Sequence, residues 1–324
     1  MARTDDDDWD ITESVGATAL GVAMARAAES RSERPLFIDQ YAQWFIDAAT
    51  AAGWQSPFGS STGLAATLPD LDPAVAEQMQ RRIQSIWGYA ASRTKHFDDF
   101  FIAAGAAGIR QVVILAAGLD ARAWRLPWVS DTVIYEIDQP RVLEFKAETL
   151  RAHRAQPAAH GPAAPTIKAV PIDLRQDWPT ALRQAGFDAT QPTAWLAEGL
   201  LPYLPAAAQD LLFDRVQELS ATDSRIAVEA FGPEYFDEDY QRRRRASMQE
   251  MRAAMSSAGR EMSDVADLFF NEPHADVADW LRDHGWEVST DTSAELLTRH
   301  KPELSQDPQN PGSLFVEGRR LSGA

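Results

Sequence analysis

Cysteine is absent from the 324 residues. That one fact excludes disulfides, thiolate metal sites, iron–sulfur clusters and cysteine nucleophiles. Histidine is scarce, and the six present show no ligand-like spacing, so no metal site is expected. Positive charge is also under-represented. Lys plus Arg number 31 against 48 for Asp plus Glu, a formal net charge of −17. Such a chain is repelled by phosphate backbones and anionic lipid, which argues against nucleic-acid and membrane partners. Long apolar runs are missing too: Val15–Ala25 and Val112–Leu119 fall short of the ~18–20 residues that span a bilayer. Met1 to Asp10 carries Asp5-Asp6-Asp7-Asp8, expected to be a solvated tail, and has no basic segment leading into an apolar one. No secretory leader is therefore expected, and the expected setting is the cytoplasm. What remains, 45% hydrophobic and 24% charged residues, suits a globular chain with a sizeable core.

The first hundred residues read as helices. Ser14–Arg26 is small and apolar, Phe37–Ala49 is amphipathic, and Pro73–Phe101 places Ile83, Ile86, Trp87, Ala90 and Ala91 on one face. Gly53–Pro69 is dense in glycine, serine and proline and reads as a loop. After Gly105 the pattern becomes an alternation. Strands are expected at Gln111–Leu115, Thr132–Asp138, Ile167–Asp173, Thr193–Ala197 and Arg225–Ala230, with helices at Pro140–Arg154, Trp178–Ala185 and Ala206–Leu219 between them. This order predicts an α/β fold with a largely parallel sheet. Residues 232–271 lose the strand signal and read as a helical insertion. A helix at Asp276–His284 and strands at Trp286–Asp291 and Leu314–Gly318 complete the chain. Pro302, Pro308, Pro311 and Gly312 leave little room for a crossover helix before the last strand, which is therefore expected to pair antiparallel. The expected division is 1–104 tail and helical cap, 105–231 core, 232–275 insertion or lid, and 276–324 completion of the core.

In an open α/β sheet, ligands bind beyond the carboxyl ends of the strands. The first strand runs into Ala116-Ala117-Gly118-Leu119-Asp120 and the second ends in Glu136-Ile137-Asp138, with Gly118 and Asp138 twenty residues apart. A glycine lets backbone approach a ligand closely, and an acid at that spacing can accept from both hydroxyls of a ribose. The segment lacks the several glycines that cradle a dinucleotide pyrophosphate. A ligand with a ribose and no pyrophosphate, such as S-adenosylmethionine, fits better. Asp173 at the third strand end could accept from an adenine amine while the Leu174 N–H meets a ring nitrogen. Equally, Asp173 or Asp177 could cap the helix at Trp178. Glu198, after the fourth strand, could hold the ammonium of a methionine moiety. The ribose assignment fails if the Asp138 carboxylate is remote from any cavity, or if lysines and backbone amides use up its oxygens.

Together these pieces resemble the leucine carboxyl methyltransferase-like superfamily, and within it a family of actinobacterial S-adenosyl-L-methionine-dependent methyltransferases. The match is carried by Trp9-Asp10 with Ser14–Ala19, Arg93-Thr94 with Phe97-Asp98, and Ala117–Arg122 with Arg125-Leu126. It continues through Glu136–Pro140, Asp173-Leu174-Arg175 and Ala197–Tyr203. The resemblance covers nearly the whole chain. It implies a class I methyltransferase Rossmann-like sheet of seven strands, the last antiparallel, and S-adenosyl-L-methionine as cofactor. It also implies Arg93, Gly118, Asp138, Asp173, Leu174 and Glu198 as cofactor-binding positions, with Arg93 pairing with the cofactor's carboxylate. Arg122 and Arg125 are expected to brace the fold. The departure from the family pattern is Ala116-Ala117, where further glycines are common.

Methyl transfer from a sulfonium needs the nucleophile, methyl carbon and sulfur held in line. A carboxylate acceptor needs no base, whereas a hydroxyl does. Acceptor-side candidates are Tyr203, Glu229, Tyr235 and His274, and no spacing selects one as catalyst. Phe231, Tyr235, Phe236, Phe269 and Phe270 suit an apolar acceptor or simple packing. The expected activity is methylation of a small-molecule hydroxyl or carboxylate. The rivals are a nicotinamide-dependent oxidoreductase and a non-catalytic S-adenosylmethionine-binding protein.

Overall fold

The computed structural model describes residues 14–55, 73–158, 164–257, 268–270, 275–305 and 312–323. The strands are β1 (Gln111–Leu115), β2 (Val133–Asp138), β3 (Thr166–Pro171), β4 (Thr193–Ala197), β5 (Arg225–Phe231), β6 (Trp286–Thr292) and β7 (Ser313–Arg320). They form one seven-stranded sheet in the order β3-β2-β1-β4-β5-β7-β6. The pairs among β1 to β5 are parallel, and β7 lies antiparallel between β5 and β6. The expected antiparallel last strand is present. The β1 and β4 runs, Gln-Val-Val-Ile-Leu and Thr-Ala-Trp-Leu-Ala, are buried at every position. Only helices on both faces permit that.

One face of the sheet is covered by α6 (Trp178–Gln184), α7 (Ala206–Leu219) and α9 (Val277–Asp283), which pack around Trp178, Trp195 and Leu212. The other face carries α3 (Pro73–Ala106) and the short α4 (Arg122–Arg125). There Phe97 and Phe101 sit at or near zero exposure, each contributing ~1.5–3 kcal/mol by leaving water. α1 (Ser14–Ser30) and α2 (Gln40–Ala51) pack with α5 (Pro140–Ala152) around Leu20, Phe45, Leu119 and Val142. The insertion after β5 contributes α8 (Glu238–Ser257).

Three expectations are corrected. α3 continues past Phe101 to Ala106, where Gly108 at φ +95° closes it: Gly108 N–H donates to Gly105 O and Ile109 N–H to Ala104 O, both at 3.1 Å. Ile86, placed on its apolar face, is 43% exposed, while Ile83 is buried. A helix, α10 (Ser293–His300), also occupies the connection thought too proline-rich for one. Its start is a capping box. Glu295 N–H donates to Thr292 Oγ1 at 3.2 Å, and Thr292 N–H donates to Glu295 Oε2 at 2.7 Å. All the prolines fall after the helix, so they do not oppose it. The aspartate tail, Trp9-Asp10, most of the 53–69 loop and His274 lie outside the described residues. No helix among the described residues is long and apolar enough to cross a membrane.

Candidate functional site

Chain order reverses between β1 and β4, so their carboxyl ends flank the switch point of the sheet. The turn after β1 is tight. Ala117 N–H extends the ladder to Ile137 O at 3.0 Å, and Asp120 N–H closes the turn on Ala117 O at 2.8 Å. Gly118 holds φ +46° and Ala116 φ +51°. Glycine adopts that region freely. Alanine at 116 holds it at a cost of ~1–2 kcal/mol, which is where the sequence departs from the family pattern.

Asp138, at the end of β2, faces this turn. Its Oδ2 accepts from Gly118 N–H and its Oδ1 from Gln139 N–H, each at 2.6 Å. A carboxylate has about four lone-pair sites, so each oxygen keeps one, and the side chain is partly exposed. The two amides engage Asp138 without using it up. Burial pushes its carboxyl above the ordinary range, against the opposing pull of the two amides and Lys146, with Asp173 adding to the rise. Glu136, two residues earlier, points elsewhere: it is 2.9 Å from Lys146 in a pair nearly closed to solvent.

Asp173 follows β3. Gln139 Nε2 donates to its Oδ2 at 3.1 Å, tying it to the β2 tip, and Arg175 wraps it from backbone N–H (2.8 Å) and guanidinium (Nη2, 2.7 Å). Burial acts to raise its carboxyl, and the Arg175 contacts outweigh this and hold it below the ordinary range. The helix cap is Asp177, whose Oδ1 accepts from Thr180 N–H at 3.3 Å. The alternative left open for Asp173 is thereby settled as to the cap. Leu174 packs against the apolar core of that face.

At the tips of β4 and β5 the charges alternate. Glu198 Oε1 lies 2.8 Å from Arg93 Nε, and its Oε2 2.7 Å from Arg122 Nη1. Arg93 Nη1 then meets Glu229 at 3.0 Å, while Glu229 also accepts from Gly199 N–H (2.9 Å) and from the Tyr89 hydroxyl. Behind them Arg122 contacts Asp120 and Asp98 (2.8 Å), Asp98 holds Arg125 (2.6 Å), and Asp39 binds Arg26 (2.9 Å). Burial would lower the Arg93 guanidinium, but Glu229 and Glu198 more than reverse this. Burial would raise Glu198, and Arg122 with Arg93 hold it below the ordinary range instead. Arg93 Nη2 makes no hydrogen bond with the described residues. Arg122 and Arg125 brace the fold as expected, and Arg122 also fixes Glu198.

Over these tips lie α1 and the insertion. Ala19 Cβ would lie 3.8 Å from a methyl placed on Gly118, and the Tyr203 hydroxyl meets Thr18 Oγ1 at 3.3 Å. Phe231 stacks on Tyr235 at 3.7 Å, Phe269 packs edge-on to Tyr203 at 5.2 Å, and Arg244 lies 5.4 Å over Tyr235. Phe236 is 52% exposed, and Phe270 N–H donates to Pro202 O. Among the described residues, no cluster of three or more His, Asp or Glu is placed to hold a metal ion.

The structure thus gathers Gly118, Asp138 and Asp173 around one end of the switch point, and Arg93 and Glu198 around the other. Sequence reasoning missed Tyr89, Asp98 and Asp120. Tyr89 stands four residues before Arg93, and Phe97 four after. That spacing puts all three on one helix face, a signal the sequence did hold.

The sequence profile described as leucine carboxyl methyltransferase matches residues 19–217. A protein of Mycolicibacterium paratuberculosis named "Putative S-adenosyl-L-methionine-dependent methyltransferase" is 52% identical over 324 residues, covering 99% of this chain and 98% of its own. A Mycobacterium tuberculosis protein of the same name is 52% identical over 325 residues, covering 99% and 100%. Similar solved structures include magnesium protoporphyrin IX methyltransferase from Synechocystis with bound SAH. Its TM-score is 0.45 and its identity 11%, with 85% of this chain and 96% of that one covered. With the profile spanning more than half of the chain and relatives matched end to end, the chain belongs to the leucine carboxyl methyltransferase family.

Proposed function

We propose that the chain is an S-adenosyl-L-methionine-dependent methyltransferase, acting in the cytoplasm on a hydroxyl or carboxylate oxygen of a small molecule. The observation that carries this reading is the Asp138 carboxylate. It clasps the Gly118 turn at the end of β2 yet keeps one acceptor site on each oxygen. The donor set fits the cofactor. Asp138 would take the ribose hydroxyls, with Gly118 letting the backbone come close. Asp173 and the Leu174 N–H would take the adenine edge, and Arg93 the carboxylate. The turn after β1 has a single glycine at 116–118, too few for a pyrophosphate cradle, which disfavours a nicotinamide dinucleotide.

When bound, the cofactor supplies a methyl group already activated on a sulfonium. The protein's residues orient and exclude water. Glu198 and Glu229 hold Arg93 through Nε and Nη1, which leaves Nη2 for a one-point contact with the cofactor's carboxylate. Glu198 is itself held by two arginines, so its first task is to aim Arg93; a lone pair on each oxygen remains for an ammonium. Glu229 is engaged by Tyr89, Arg93 and Gly199 N–H, which makes it a brace rather than a base. Residues 1–104 and 232–275 would serve as cap and lid over the 105–231 core, completed by 276–324. The Phe231, Tyr235 and Phe269 rings would wall an apolar acceptor. Calorimetry tests the cofactor: saturable heat is expected with S-adenosylhomocysteine and none with NADH, and the reverse result would overturn the proposal. A screen of metabolite extract with methyl-labelled donor then reads turnover and distinguishes an enzyme from a mere binder.

A further inference from the structure

We infer that the cleft where α3 and α10 meet the β6–β7 edge is a second binding site, built for a small organic amine in its ammonium form. The cleft encloses about 270 Å³ and is walled by His96, Asp99 and Phe100 of α3, Asp291 of β6, His300 of α10 and Glu317 of β7. At ~30 Å³ per water molecule, that is room for a short amine of a few carbons. None of its walls belongs to the strand tips that carry the proposed cofactor site.

The decisive feature is a pair of facing acceptors. The His96 side chain is 8% exposed and its Nε2 makes no hydrogen bond among the described residues, although Glu317 Oε1 lies only 3.3 Å away. Burial, with Arg299 and His300, holds the ring near pKa 4 against the pull of Asp291 and Asp99, so the imidazole is uncharged at neutral pH. A buried nitrogen left unpaired calls for an explanation. With the neutral ring protonated at Nδ1, the Nε2 lone pair and the neighbouring carboxylate oxygen are answered by one N–H donor that meets both.

The surrounding charges choose the donor's sign. Asp99 is neutralised by Lys95 at 2.5 Å, and Asp291 by Arg299 at 3.0 Å. Glu317 has no cation at ion-pair distance among the described residues, only neutral His96. Its carboxyl is raised, first by burial and then by Asp291, although Arg225 and Arg299 pull the other way from beyond ion-pair distance. An anion would be repelled there. Phe100 and Phe315 line the cleft and supply apolar wall for the carbon chain.

The test uses the full chain and butylammonium chloride, with butanol, butyrate and sodium chloride as controls. The His96 ring is followed by ¹H–¹⁵N NMR. A saturable shift of Nε2 is expected with butylammonium alone, and Glu317→Gln should weaken it about tenfold, the value of one charged hydrogen bond. Glu317→Lys, which supplies an ammonium from within, should abolish the response while thermal unfolding stays cooperative. The inference is overturned by a shift that does not saturate, by an equal shift with butanol or sodium, or by a response unchanged in Glu317→Gln.

Discussion

Replacing Asp138 with asparagine separates a ribose clasp from a structural turn. In the wild type each carboxylate oxygen accepts one backbone N–H and keeps one site for a ligand hydroxyl. Asparagine retains a single acceptor oxygen, and its amide group faces an N–H it cannot accept. Of two charged hydrogen bonds worth ~1.5–3 kcal/mol each, one is lost and the other becomes neutral. The expected loss is about 2–4 kcal/mol, roughly 30- to 1,000-fold in Kd for S-adenosylhomocysteine by calorimetry. The control is the analogue lacking both ribose hydroxyls. It should bind wild type and Asp138→Asn almost equally, because the contacts removed by the substitution are already missing. If both ligands weaken by the same factor, Asp138 acts only by holding the Gly118 turn, and the ribose assignment is refuted. Acidification offers a second view of the same group. Because burial raises its carboxyl, protonation sets in above the ~3.9 of a free aspartate, and wild-type affinity should start to fall there.

Four further substitutions are informative. Arg122→Met removes the cation that Asp98, Asp120 and Glu198 share, leaves Asp120 without an ion-pair partner among the described residues, and should destabilise the fold by about 3–5 kcal/mol in urea unfolding. Asp120 is raised by burial but brought down to about 2 chiefly by Arg122, so its stabilising effect is complete above about pH 4 and lost as pH falls towards 2. The gap between wild type and variant should therefore narrow across that window; a gap independent of pH would refute the coupling. Gly118→Ala meets only ordinary contacts at 3.8 and 3.9 Å, so its stability cost is the ~1–2 kcal/mol of left-handed backbone. Its loss of S-adenosylhomocysteine affinity should exceed that figure, since the methyl fills the cradle. Asp177→Ala removes a helix cap and should lower thermal stability slightly with no change in affinity, whereas Asp173→Asn should weaken binding; calorimetry on both variants checks the division of labour.

The sheet was legible because its chemistry is local. β1 and β4 are short, mostly apolar runs, and β2, β3 and β4 are each followed by a helix. The position of β7 between β5 and β6 was not legible, since strand order depends on long-range pairing that no window of sequence holds. Thr292-x-x-Glu295 marks the start of α10, but Pro302, Pro308 and Pro311 in the same connection oppose a helix when the segment is read as a whole. At the site, Gly118 and Asp138 stood out from spacing alone, and the structure joins them by a hydrogen bond. The partners of Arg93 did not stand out. Glu198 and Glu229 lie on different strands, more than a hundred residues beyond it, and charge pairing across that distance leaves no periodic trace.

That pairing bears on why the tips are charged at all. Arg26, Arg93, Arg122 and Arg125 alternate with Asp39, Asp98, Asp120, Glu198 and Glu229 through a chain of contacts that joins α1, α2, α3, α4 and the ends of β4 and β5. Desolvating so many ions offsets most of their attraction, so well-packed apolar residues of similar volume would serve stability as well or better. Stability therefore does not account for the network. Apolar contacts are non-directional, whereas a guanidinium held by two carboxylates has one orientation. Arg93 is the member that benefits: with Glu198 and Glu229 fixed by their own donors, its Nη2 can point only one way. A network that contributes little to folding yet sets the direction of a donor left without a hydrogen bond among the described residues is what a site needs if it must seat a small, flexible ligand in line with an acceptor.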